Sequence, residues 1–167
     1  NYGYLGTGEP KFGTCGGSYQ NDFWRYDPST NTWTQMANFG GVGRTGAVGL
    51  SIGSKGYNGT GRNNSGNMFD FWEYDPALNT WVQKAGVPGS NRAYASAFSV
   101  GNYGYVGLGT TSSFSGCAFY SDIWRYNPAS NTWTQMANFG GGKRGLATAF
   151  SIGNYGYVGS GDTVATS

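Results

Sequence analysis

The six tryptophans of this chain fall into three pairs of identical spacing, Trp24/Trp33, Trp72/Trp81 and Trp124/Trp133, each nine residues apart. The frames around them read DFWRYDPSTNTW, DFWEYDPALNTW and DIWRYNPASNTW. A Gly/Tyr element stands upstream of each pair, at 1–8 (NYGYLGTG), 54–61 (SKGYNGTG) and 102–109 (NYGYVGLG). A fourth copy at 154–161 (NYGYVGSG) has no tryptophan pair after it, so the period is 48 to 53 residues. Self-similarity at such a period means that each unit is one supersecondary module that buries its apolar face only by stacking on its neighbours. One stretch, NTWTQMANFGG, recurs unchanged at 31–41 and 131–141, whereas the middle unit reads NTWVQKAGVPG. That alternation points to duplication of a two-unit segment.

One unit reads as four strands. GLATAFSI (145–152) is a run of small and apolar residues suited to a strand crowded on both faces. Gly153–Asn154 then supplies a two-residue turn into YGYVG, the second strand. After a loop of variable length comes the DFWRY type of segment as the third strand. In DPSTN, Asp caps the turn, Pro presets the backbone and Asn tolerates the left-handed conformation. TWTQM is the fourth strand. Four antiparallel strands recurring near every 50 residues describe an all-β propeller of four-stranded blades.

The pattern resembles the kelch repeat. An arginine opens strand one (Arg44, Arg92, Arg144), glycines end strand two, and Tyr and Trp follow seven positions apart at Tyr26/Trp33, Tyr74/Trp81 and Tyr126/Trp133. One departure is consistent: the adjacent glycine pair is replaced by Gly-x-Gly at Gly6/Gly8, Gly59/Gly61, Gly107/Gly109 and Gly159/Gly161. The expected organisation is one kelch segment over 1–167. It comprises blade strands two to four at 1–36, full blades at 44–84 and 92–136, and strands one and two of a further blade at 144–161. That makes thirteen strands, in about three blades plus a partial one. Both ends supply strand two, and three blades do not close a ring, so the segment is expected to belong to a propeller of six or seven blades. Closure by a second copy is the alternative, although two copies bring twenty-six strands, which is not a multiple of four.

Composition narrows the function. The chain has no His, which removes the commonest general base, the Ser/His/Asp triad and most transition-metal sites. No cofactor and no metal are expected. The net charge is +2 with the basic residues scattered singly, so no stripe for nucleic acid is present. No apolar run approaches a membrane span. The first residues show neither a basic start nor an apolar h-region, and no initiator Met, so the chain is expected to be a processed product or a fragment. Two cysteines, Cys15 and Cys117, set no compartment alone; a bridge between them, partners elsewhere and free thiols all stay open. Family grounds imply an extracellular or cell-surface setting.

The six tryptophans and their tyrosines are expected to form blade-to-blade core, each buried indole removing roughly 200 Å² from water. The opening arginines admit two readings: ligands for an anionic sugar in the central channel, or locks on neighbouring loop carbonyls. Asp22, Asp70 and Asp122 read as turn acceptors. Specificity is expected in the unrepeated loops 9–21, 62–69 and 110–121, which share a face with the connections 37–43, 85–90 and 137–143. Phe12, Tyr19, Phe114, Phe119 and Tyr120 dot that face, and with Arg44, Arg92 and Arg144 they are the candidate ligand contacts. NGT (58–60) and NNS (63–65) match the N-glycosylation acceptor, and DTV (162–164) resembles an O-glycosylation site. No residue reads as catalytic. The expected function is a non-catalytic extracellular binding or scaffold module for protein or glycan. The alternative that the resemblance admits is part of a propeller enzyme, of the carbohydrate oxidase or sialic-acid epimerase type, with its catalytic residues mostly outside this segment.

Overall fold

The computed structural model describes residues 2–9, 18–113 and 116–163, and of residues 112, 113, 116 and 117 the backbone only. Blade one is a three-stranded antiparallel sheet of β1 (Gly3–Gly8), β2 (Gln20–Asp27) and β3 (Thr32–Gln35). Blade two is built from β4 (Val48–Ile52), β5 (Lys55–Gly59), β8 (Phe71–Asp75) and β9 (Thr80–Lys84), with a short hairpin of β6 (Arg62–Asn63) and β7 (Gly66–Asn67) between its second and third strands. Blade three repeats this plan with β10 (Ser96–Val100), β11 (Tyr103–Gly107), β14 (Ile123–Asn127) and β15 (Thr132–Gln135). Its inserted hairpin is β12 (Thr110–Ser113) and β13 (Gly116–Phe119). β16 (Thr148–Ile152) and β17 (Tyr155–Gly159) form a last two-stranded sheet. The described residues thus hold seventeen strands, not thirteen. The four extra ones lie where the sequence suggested plain loops, because Asn63 and the Gly66 turn close a hairpin too short to show any alternation.

Local chemistry explains the repeated letters. Ser29, Ala77 and Ala129 each donate a backbone N–H to the side chain of Asp27, Asp75 or Asn127, which closes the DPSTN-type turn. Asn31, Asn79 and Asn131 sit at φ of 55°, 55° and 53°, a left-handed conformation that asparagine bears better than most residues. The Gly-x-Gly motif has a matching cause. Its middle residue is left-handed in all four copies (Thr7, Thr60, Leu108, Ser160), and the glycine after it also has positive φ. In the first three copies the first glycine lies against the backbone of strand three, where a Cβ on Gly59 would strike the carbonyl of Asp70.

The same asparagines clamp one blade to the next. Asn79 Oδ1 accepts from the Tyr74 hydroxyl (2.8 Å) and from the Ala37 N–H at the exit of blade one (2.9 Å), while Trp81 Nε1 donates to the Ala37 carbonyl (3.2 Å). One blade on, Asn131 accepts from Tyr126 (2.9 Å) and from the Ala85 N–H (2.9 Å), and Trp133 Nε1 donates to the Ala85 carbonyl (2.8 Å). The Tyr/Trp spacing and the letters NTW therefore describe one inter-blade bracket. Beside it the apolar faces interlock. Phe23 meets Tyr74 and Trp81 edge-on at 4.8 and 4.9 Å, and Phe71 meets Tyr126 and Trp133 at 5.1 and 5.0 Å.

The core is centred on Val48, Ile52, Tyr57, Phe71, Val106 and Tyr126, at the junction of blades two and three. Tryptophans are not the most buried residues. Trp24, Trp72, Trp81, Trp124 and Trp133 are half-buried, and Trp33 is 52% exposed, its one ring neighbour among the described residues being Tyr26, tilted against it at 5.0 Å. The expectation of core placement fails at Trp33, against which no exit of a preceding blade lies among the described residues. Asn31 shows the same lack: among the described residues its Oδ1 accepts only the Tyr26 hydroxyl (2.9 Å).

Asn131→Ala removes a two-donor acceptor and places alanine in a left-handed position. We expect a loss of about 2 kcal/mol, read as a lower urea midpoint at unchanged slope. Asn31→Ala, lacking the inter-blade bond, should lose clearly less under the same conditions.

Candidate binding face

Each opening arginine joins two blades. The backbone of Arg44 belongs to blade one: its carbonyl accepts from Gly8 N–H (2.8 Å) and its N–H donates to the Gln20 carbonyl (3.3 Å). Its side chain belongs to blade two. Nη1 and Nη2 grip Asp70 in a fork at 2.5 and 2.8 Å, Nη1 also donates to the Thr60 carbonyl (2.9 Å), and Nε donates to the Val42 carbonyl (3.0 Å). Arg92 does the same one blade on, with Asp122 at 2.8 and 2.6 Å and the carbonyls of Leu108 and Ser90 at 3.0 and 3.2 Å. The matching tryptophans complete the carboxylates. Trp72 Nε1 donates to Asp70 (2.8 Å) and Trp124 Nε1 to Asp122 (2.7 Å).

An aromatic ring covers each guanidinium. Phe39 lies over Arg44 at 4.7 Å and Phe139 over Arg144 at 4.9 Å. This accounts for the phenylalanine in the duplicated ANFGG. The middle unit reads AGVPG, and there Tyr120, reaching in from another loop, covers Arg92 at 4.8 Å.

These facts correct the reading of the arginines as ligand contacts. Arg44 and Arg92 are 0% exposed with nearly every donor engaged, so neither is free for an anionic sugar. Of the two readings offered by the sequence, the lock is the one the geometry carries. Arg144 is half-buried; it donates to the Ser160 carbonyl (3.1 Å) and to the Gly141 carbonyl, its Nε is unpartnered, and no carboxylate reaches it among the described residues. Tyr120 belongs to the lock rather than to an open surface. Phe119 lies against Gly145, and Tyr19 is half-buried with its hydroxyl 3.5 Å from Asn64 Oδ1. Phe12, Phe114 and Cys15 lie outside the described residues. Cys117 pairs through its backbone with Ser112. Asn63 of the NNS motif is occupied: its Oδ1 accepts from Ser65 N–H (2.8 Å) and its Nδ2 donates to the Gly43 carbonyl (3.4 Å).

The inserted hairpins and the inter-blade connections form one continuous face. Bridges join Thr45 to Arg62, Met68 to Arg92 and Ala93 to Thr110, and Asn91 Nδ2 donates to the Asn67 carbonyl (3.0 Å). Between blades one and two this face carries an open groove of about 490 Å³, lined by Gly40, Gly41, Val42, Met68, Phe69 and Trp72, with Arg44 and Asp70 at its floor. Val42 and Phe69 are largely exposed beside it. Sequence reading missed both; the signal was an apolar residue inside an otherwise glycine- and asparagine-rich loop. Among the described residues no three His, Cys, Asp or Glu side chains converge as a metal site would require, and no helix is long and apolar enough to cross a membrane.

Against known proteins, kelch motifs match the chain at residues 13–40 and 109–140. The solved structure of YjhT superposes with a TM-score of 0.72 at 16% identity, covering 83% of this chain and 51% of that one. The chain therefore spans about half the length of that structure, and at this identity the likeness concerns the fold. Among curated proteins, none matches. The chain thus carries kelch motifs in those two stretches and has the all-β propeller fold of antiparallel four-stranded blades that its repeats imply.

The locks also set the acid sensitivity. Burial works to raise the carboxyls of Asp70 and Asp122, but the hydrogen bonds from Arg and Trp and the charge of the arginine outweigh it, and both lie below the ordinary carboxylate range. A carboxyl depressed on folding stabilises fully above its unfolded value, about pH 4, and that stabilisation is lost as pH falls through the lower folded value. We expect stability to be flat with respect to these groups above about pH 5 and to decline below pH 4. Asp122→Asn leaves Arg92 buried without its counter-charge and should cost about 3–5 kcal/mol at neutral pH while flattening that acid limb, both measurable by urea titration across pH.

Proposed function

We propose that the chain is a non-catalytic binding module, a kelch propeller segment that takes a protein or glycan ligand on its loop face in an extracellular or cell-surface setting. One observation carries the reading: at the two internal junctions the repeated charged side chains are tied up in locks between blades, while the unrepeated apolar ones beside them are presented to solvent. Arg44, Asp70, Arg92 and Asp122 answer one another, and Val42 and Phe69 stand free at the rim of the groove. A shallow apolar trough with an indole in its wall and carbonyls at its edge suits the face of a pyranose ring or an apolar side chain. Loops of differing sequence on a rigid frame are the usual place for such recognition.

An enzyme of the carbohydrate oxidase or sialic-acid epimerase type is the second reading. It draws support from the chain's spanning about half of the solved structure it resembles, which leaves room for catalytic groups outside residues 1–167.

Screening the chain against a glycan array and a panel of surface proteins tests the proposal. A specific ligand whose affinity falls about tenfold or more in a Val42→Ser/Phe69→Ala chain is the expected result, since both positions are exposed and their change leaves the locks intact. Turnover of a sugar, as oxidation or epimerisation, would overturn it in favour of the second reading.

A further inference from the structure

The junction of blades one and two and the junction of blades two and three share one plan but are finished differently on the loop face. Val42 stands two residues before Arg44, where Ser90 stands before Arg92. Met68 and Phe69 precede Asp70, where Tyr120 and Ser121 precede Asp122. At the later junction the chain supplies a cover of its own from that position, the Tyr120 ring lying over the Arg92 guanidinium at 4.8 Å. The earlier one has a methionine there, and the open groove of about 490 Å³ has Met68 in its lining.

Phe39 does not occupy this place. It reaches Arg44 from the side of the indoles, edge-on to Trp72 at 5.9 Å and to Trp81 at 5.1 Å. One blade on, the rings against Trp133 are those of Phe71 and Tyr126, and among the described residues Tyr120 pairs with neither Trp124 nor Trp133. Tyr120 therefore comes to its arginine from the hairpin side. The matching side of Arg44 is the one on which the groove opens.

We propose that this groove receives one aromatic side chain of a partner protein, which takes at the earlier junction the place that Tyr120 takes at the later one. This rests on the reading of the loop face as a binding surface and narrows its ligand to a protein with an aromatic anchor.

Charge and polarity favour that occupant over a sugar. Asp70 accepts two bonds from Arg44 and one from Trp72 Nε1, and Arg44 donates further to the carbonyls of Thr60 and Val42. Asn67 Nδ2 is turned to the Thr110 carbonyl at 3.3 Å. The charges at the floor thus answer each other and leave none for an ionic ligand. A pyranose would bring hydroxyls that leave water and meet polar side chains already bonded, a loss that an aromatic ring does not incur. What the groove offers is apolar. Val42 and Phe69 stand 58% and 54% exposed at its rim, and the Trp72 indole forms a wall. Met68 adds an unbranched, polarisable thioether that adapts to a ring beside it. An apolar slot within a polar loop face is the setting in which a buried aromatic anchor dominates binding.

N-acetyl-phenylalaninamide titrated into the isotope-labelled chain should shift the backbone resonances of residues 40–42 and 67–70, with a dissociation constant of about 1 mM. Methyl glucoside and N-acetyl-lysinamide should leave them in place. Met68→Tyr supplies a ring from within, as Tyr120 does, and should weaken binding of the aromatic amide about tenfold or more. Val42→Asp, at an exposed position, should weaken it as much and carries the test should the first variant misfold. Peptides selected on the unaltered chain from a random display library should share an aromatic residue whose change to alanine costs about tenfold or more in affinity. Resonances that no aromatic amide moves, affinity indifferent to both variants, or selected peptides without an aromatic residue would each overturn the inference. Methyl glucoside acting in place of the aromatic amide would overturn it too, while leaving the loop face a binding surface.

Discussion

Everything in this fold leans on a guanidinium placed where two blades meet. Arg44 gives its backbone to one blade and its side chain to the next, and Arg92 repeats the arrangement. A buried arginine is tolerable only when a carboxylate and several carbonyls surround it, and here each blade supplies them at fixed points. The carboxylate comes from the residue that opens strand three, and a carbonyl comes from the left-handed residue of Gly-x-Gly. The strand lengths, the glycine spacing and the Asp-x-Trp motif are thus one geometric requirement seen from three places. A four-stranded sheet alone would not demand any of them.

Much of this was legible in the letters. The period, the four-strand plan and the left-handed asparagine follow from patterns confined to one unit, where local backbone chemistry decides the outcome. What stayed illegible depends on the relation between units. Trp33 and Trp133 sit in identical eleven-residue stretches, yet one is exposed and the other packs on Phe71 and Ala85, because among the described residues only the second has a preceding blade beside it. Likewise the cover on Arg92 comes from Tyr120 rather than from its own connection, a substitution across loops that no linear pattern records. The arginines themselves allowed two readings until the positions of Asp70 and Asp122 were fixed in space.

The face that differs between units follows the opposite rule. Its hairpins, β6–β7 and β12–β13, meet the inter-blade connections through backbone pairs, Thr45–Arg62 and Ala93–Thr110, which do not depend on side-chain identity, so their sequences can drift while the frame stays registered. That separation of frame from loop face is what permits a binding surface to vary on a conserved geometry, and it places Val42 and Phe69 where change costs the fold little.

Trp33 gives the molecule an optical consequence of its architecture. The other five indoles are half-buried against protein, whereas this one faces water. Its fluorescence belongs to the red side of the emission band and is open to collisional quenchers, so light emitted from a single side chain reports whether the outer face of blade one is covered.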